Sequence, residues 1–133
     1  MSGITTHVLD LSAGRPAAGM TVRLEKLNGS NWTVVAEQTT DADGRVKDLH
    51  AEQVAQGVYR ITFDTLDYFS GIGVTTFYPE VTVVFEIAHS EQHYHVPLLV
   101  SPWGYSSYIG SLGGLILLVA LFVLVIFPIP DEN

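Results

Sequence analysis

Between the turn signals of the first hundred residues, apolar and polar side chains alternate with a period of two, the mark of strands buried on one face. Residues 4–10 (ITTHVLD) open the chain as one such strand. After the turn SAGRPAAG, the stretch 20–27 (MTVRLEKL) places Val22 and Leu24 on a common face. Asn28-Gly29 marks a hairpin turn into 31–39 (NWTVVAEQT), and Asp41-Ala42-Asp43-Gly44 forms a second tight turn. VYRITFD at 58–64, VTVVFEIA at 81–88 and HYHVPLLV at 93–100 complete the set, with residues 65–69 (TLDYF) expected to make one short helical turn. Strands spaced by roughly 8–15 residues, with so little helix, predict a mainly β fold, an antiparallel β-sandwich.

The pattern changes towards the C-terminus. From Val96 to Pro130 there is no Asp, Glu, Lys, Arg or His, and 112–127 (LGGLILLVALFVLVIF) has no polar side chain. Taken from Ile109 to Ile129, a helix would cover roughly 31 Å, the thickness of a bilayer's hydrocarbon core. A buried core helix of that length needs a polar face, and this stretch is apolar all round. The sequence therefore predicts a domain over 1–108, one transmembrane helix over 109–129 and a polar tail over 130–133. Pro128 and Pro130 end the helix. Trp103, Tyr105 and Tyr108 stand where an interfacial aromatic belt would lie. Gly110 and Gly114 form a GxxxG step that either packs a neighbouring helix or merely links domain to span. Membrane lipid and other transmembrane helices are the expected partners.

Charge narrows the field further. The net charge is −8, and the six basic residues (Arg15, Arg23, Lys26, Arg45, Lys47, Arg60) are scattered through the first sixty positions. That is no footprint for nucleic acid and no polybasic stripe for anionic lipid. It also leaves the positive-inside rule silent on orientation. The N-terminus lacks the pattern of a secretory signal, which favours a cytoplasmic domain with a C-terminal anchor. With no cysteine, disulfides, thiol catalysis and thiolate metal sites are excluded.

Three features are candidates for chemistry. His93 and His95 lie two apart in a strand and share a face. His7 sits in the first strand, and Arg45 follows the DADG turn. The His-x-His pair invites a zinc reading, but zinc needs three or four ligands and no third stands at a fixed spacing. The residues alone leave two other readings open: half-buried strand histidines with satisfied hydrogen bonds, or two imidazoles and a guanidinium converging to hydrolyse a substrate.

Five motifs, in order and sensibly spaced, resemble the 5-hydroxyisourate hydrolases of the transthyretin-like family. They are Thr6-His7-Val8-Leu9-Asp10, Gly14-Arg15-Pro16-Ala17, Asp43-Gly44-Arg45, Phe77-Tyr78-Pro79-Glu80-Val81, and His93-Tyr94-His95-Val96-Pro97-Leu98-Leu99 with Ser101-Pro102. The resemblance runs from about residue 4 to 111. It implies a two-sheet transthyretin-like sandwich with one short helix, assembled as a dimer of dimers with active sites between dimers. It also implies a small-molecule purine substrate, 5-hydroxyisourate, whose ring amide is opened by water without a cofactor. Carried over, the catalytic positions are His7, Arg45 and His95, with Tyr108 and Ser111 binding substrate. Transthyretin proper, the hormone carrier, lacks this His/Arg/His set.

The resemblance departs at its end. The family's terminal Tyr-Arg-Gly-Ser is here Tyr108-Ile109-Gly110-Ser111, so an aliphatic side chain replaces an arginine and the chain continues into the apolar run. Three functions stay open: a membrane-tethered hydroxyisourate hydrolase, a catalytically silent accessory subunit docked in a larger membrane complex through its helix, or a small-molecule carrier like transthyretin.

Overall fold

The computed structural model describes residues 3–50 and 54–110. Alternation along β6 (Gly57–Phe63) and β3 (Thr21–Asn28) drives Tyr59, Ile61, Phe63, Val22 and Leu24 into a common core. These strands pair antiparallel and are flanked by β4 (Asn31–Thr39) and β7 (Val81–Ile87), giving a four-stranded sheet in the order β4-β3-β6-β7. The second sheet is built on β1 (Gly3–Asp10), whose Ile4, Thr6, Val8 and Asp10 turn inward. β1 pairs antiparallel with β2 (Arg15–Pro16) and β5 (Arg45–His50), and parallel with β8 (His93–His95) and β9 (Leu98–Ser101). β10 (Gly104–Ser107) extends this sheet beyond β9. The two inner faces interdigitate as a β-sandwich.

The predicted strands all form, with one division. HYHVPLLV splits into β8 and β9 because Pro97 has no N–H to give the ladder, and the two halves pair with successive stretches of β1. These parallel pairings make the sheet mixed where alternation alone predicted antiparallel. Missing from the sequence reading were β2, β5 and β10. Each is short or carries a broken alternation, and β5 buries only Val46 and Leu49 among exposed neighbours.

The expected helical turn is α1 (Thr65–Gly71), capped by Asp64, whose side chain accepts from Asp67 N at 3.1 Å. Thr65 Oγ1 donates to Tyr78 O at 2.6 Å. On its buried face, Tyr68 Oη donates to Asp10 Oδ2 at 2.7 Å, and Asp10 Oδ1 accepts from Ser12 N, Ser12 Oγ and Ala13 N. Burial raises the Asp10 carboxyl, but these four donors outweigh it and hold the group below its ordinary value. Tyr68, desolvated and bonded to that carboxylate, is pushed up to about 12. Tyr68→Phe leaves one buried carboxylate oxygen without its donor and is expected to lose about 2 kcal/mol in chemical denaturation, as a lower midpoint at unchanged slope.

Ile109, the first residue of the predicted span, packs against the sandwich core, and Gly110 lies in a turn. The remainder of that span, with Ser111, Gly114 and the polar tail, lies outside the described residues. Among the described residues no helix is long and apolar enough to cross a membrane.

Candidate active site

With Ile4, Thr6 and Val8 committed to the core, Thr5 and His7 face outward from the sheet. β1 lies between β5 and β8, and register decides what meets there. His7 pairs with Arg45, Thr5 with His95 and Gly3 with His93. Residues from three distant parts of the chain therefore share one outer patch. Arg45, Lys47, Thr5, His93, His95 and Gly110 line a cleft of ≈ 460 Å³ in it.

Arg45 is placed by the turn before it. Asp41 Oδ1 accepts from Asp43 N at 2.9 Å and Arg45 N at 3.0 Å, folding the loop on its own carboxylate. The hydrogen bond from the Arg45 amide is the main reason this carboxyl lies below its ordinary value. Gly44, at φ +74°, closes the turn while its carbonyl accepts from Val8 N at 2.7 Å. The same loop directs Asp43 O at His7 Nε2, 2.9 Å away. A carbonyl only accepts, so neutral His7 carries its proton on Nε2 and keeps a lone pair on Nδ1.

His95 is held from two sides. Its Nδ1 lies 2.8 Å from Thr5 Oγ1, and Gly110 presses against the Cδ2 edge, where a side-chain carbon on Gly110 would collide with the ring. Gly110 N also donates to His95 O at 2.7 Å. The structure thus gives Gly110 a packing role against a site histidine, a different contact from the helix–helix one its spacing with Gly114 suggested. Thr5 Oγ1 also meets His93 Nε2, at 2.9 Å.

Both site imidazoles favour the neutral form. Burial, then the neighbouring Arg45 cation, lowers His7; burial, then Arg45, His7 and His93, pushes His95 down to about 4. Two pH effects follow. The acid limb of any kcat/KM that needs both imidazoles neutral should lie below the ordinary imidazole value of 6.5, because both rings stay unprotonated there. Folding stability should fall as pH drops from about 6.5 through about 4, because over that window the unfolded chain takes up a proton that folded His95 refuses. A pH series of initial rates and one of unfolding midpoints check the two signs.

The sequence-predicted trio His7, Arg45 and His95 is brought together. Tyr108 is not with them: it lines a separate cavity of ≈ 240 Å³ with Val83, Phe85, Tyr94, Val96 and Ile109. Ser111 lies outside the described residues. Among the described residues no three His, Asp or Glu side chains cluster to hold a metal ion. Sequence reasoning missed Thr5 and Lys47, although each stands two residues from a chosen one, on the same strand face.

Comparison with known proteins bears on this patch. The HIUase/Transthyretin family model matches residues 4–110. The 5-hydroxyisourate hydrolase of Caulobacter vibrioides is 45% identical over 115 residues, covering 84% of this chain and 100% of that protein. The mouse enzyme of the same name is 43% identical over 113 residues, covering 83% and 96%. Among solved structures, Klebsiella pneumoniae 5-hydroxyisourate hydrolase superposes with a TM-score of 0.74 at 34% identity, covering 83% of this chain and 100% of that one. Transthyretin from Sparus aurata gives 0.77, also at 34%, covering 83% and 97%. With a two-sheet sandwich, one short helix and a match over nearly all the described residues, this chain belongs to the HIUase/Transthyretin family.

Proposed function

We propose that the protein is a 5-hydroxyisourate hydrolase, opening a ring amide of that substrate with water, and that its apolar C-terminal stretch tethers it to a membrane. The observation that carries the hydrolase reading is the outer patch of β1, β5 and β8, where His7, Arg45 and His95 meet in register. The names of the relatives agree with it. Two neutral imidazoles and a guanidinium suit the chemistry. Water adds to the carbonyl carbon as an imidazole takes its proton, and Arg45 offsets the charge growing on the carbonyl oxygen. The C–N bond then breaks, and the proton taken from water passes to the departing nitrogen. The tether is supported by the run at 112–127, and the domain is expected on the cytoplasmic side.

The test is the decay of ultraviolet absorbance of freshly generated 5-hydroxyisourate with the full chain and with His95→Ala. Fast decay that the substitution abolishes supports the reading. Decay no faster than buffer with the unsubstituted chain overturns it and leaves the silent membrane-complex subunit. The tether is tested separately: the chain should stay with the membrane pellet after alkaline carbonate extraction, and release into the supernatant refutes it.

A further inference from the structure

We propose that Thr5 is a positioning residue, whose hydroxyl, shared between His93 and His95, fixes His95 with its proton on Nε2 and so makes it a hydrogen-bond donor to the substrate. The catalytic consequence rests on the hydrolase reading above; the tautomer does not.

A threonine hydroxyl has one proton to give and two lone pairs to receive. Two ring nitrogens converge on Thr5 Oγ1, His95 Nδ1 at 2.8 Å and His93 Nε2 at 2.9 Å. Receiving from both imidazoles would leave the hydroxyl's own proton without an acceptor among the described residues. The arrangement that uses every group has one imidazole donating to the oxygen and the other accepting from it, and the protonation of the two rings is linked through a single atom. Two polarities satisfy that condition, and His93 decides between them. Its Nδ1 is buried and has no hydrogen-bond partner among the described residues. Were Thr5 to donate to His93 Nε2, the proton of neutral His93 would sit on Nδ1, as a buried N–H with nothing to receive it. In the opposite polarity only a lone pair is left bare there, which costs less than a stranded donor. The chain of donation therefore runs from His93 Nε2–H to Thr5 Oγ1, and from the Thr5 hydroxyl to His95 Nδ1. His95, neutral at physiological pH, then carries its proton on Nε2, the nitrogen to which no described residue hydrogen-bonds.

The two site imidazoles are thus used from opposite ends. Asp43 O occupies the Nε2–H of His7 and leaves an acceptor at Nδ1. Thr5 occupies the Nδ1 of His95 and leaves a donor at Nε2. One base and one donor result, where identical free ends would have given two of a kind. In the hydrolysis, His7 takes the proton of the attacking water. His95 joins Arg45 in donating to the carbonyl oxygen. Thr5 touches no reacting atom and acts through His95.

The test uses the full chain, labelled with 15N-histidine, in detergent micelles. Two-bond 15N–1H correlation spectra distinguish protonated from bare ring nitrogens, with His95→Gln and His93→Gln assigning the signals. The expected spectrum shows His95 protonated at Nε2 and bare at Nδ1. In Thr5→Val the two His95 tautomers should mix, kcat should fall roughly 10–100-fold with KM little changed, and Thr5→Ser should restore most of the loss. A His95 protonated at Nδ1 in the unsubstituted chain overturns the proposal, as does a Thr5→Val protein that keeps both tautomer and rate. If Thr5→Val does not fold, the unsubstituted spectrum still decides the polarity. A chain inactive towards 5-hydroxyisourate sinks the hydrolase reading, while the nitrogen shifts still answer for Thr5.

Discussion

Replacing Arg45 with Gln should lower kcat for 5-hydroxyisourate opening by roughly 10²–10³-fold, the usual effect of removing one preorganised donor to a developing oxyanion. Glutamine keeps an N–H but loses the charge and the planar fork of donors. Because the interaction strengthens as charge moves onto oxygen, kcat should bear the loss and KM should change less. The same substitution carries a second signature. Burial is the first cause of the lowered His7 and His95 values, but Arg45 is the second for both, so its removal should move the acid limb of the rate profile to higher pH. Steady-state rates across a pH series read both effects together. An unchanged kcat with an unmoved acid limb would place Arg45 outside the chemistry.

The second large effect is expected one residue earlier. Gly44→Ala should destabilise the domain by roughly 3 kcal/mol, well above the cost of an ordinary glycine substitution. Two causes coincide at this position. The backbone is left-handed at φ +74°, and a Cβ built there would collide with the Val8 carbonyl and crowd Pro16 and Ala17. Gly29→Ala separates them, because Gly29 has a similar φ of +68° with open space around it and should lose only about 1 kcal/mol. Denaturation midpoints of the two variants make the comparison. Equal losses would mean that the backbone at Gly44 gives way easily and that the turn does not hold Arg45 rigidly.

Much of this architecture is legible from the chain alone, for identifiable reasons. Strands such as β4 and β7 announce themselves because turn signals bound them, and their predicted limits agree with the structure to within a residue. β5 does not, because a strand that contributes Val46 and Leu49 to the core and little else has almost no period to detect. The parallel pairing of β8 with β1 is equally silent, since alternation states which face a residue takes and nothing about its neighbour. The choice of His7, Arg45 and His95 as candidate site residues rests on motif resemblance. Spacing could place His93 and His95 on one face, but only pairing across strands reveals that His7 and Arg45 stand opposite one another. Thr5 went unnoticed because a threonine in a strand is ordinarily filler, and its importance lies in two partners from the far end of the domain. Ile109 was assigned to the bilayer on hydropathy, a property that a core position satisfies equally well.

The central place of β1 has a consequence for the making of the protein. Its site partners lie far away in sequence, with 88 and 90 residues separating Thr5 from His93 and His95. Loops of that length close slowly, and sheets built on such pairings belong to the slower class of folders. On a ribosome adding roughly 5–20 residues per second, β1 is synthesised first and waits on the order of 5–20 seconds for the strand that completes its outer patch. Through that interval it is a strand apolar on one face with an unpaired edge, the kind of segment that nascent-chain chaperones shield. The outer patch is therefore among the last features the domain acquires, complete only when its first strand meets β8.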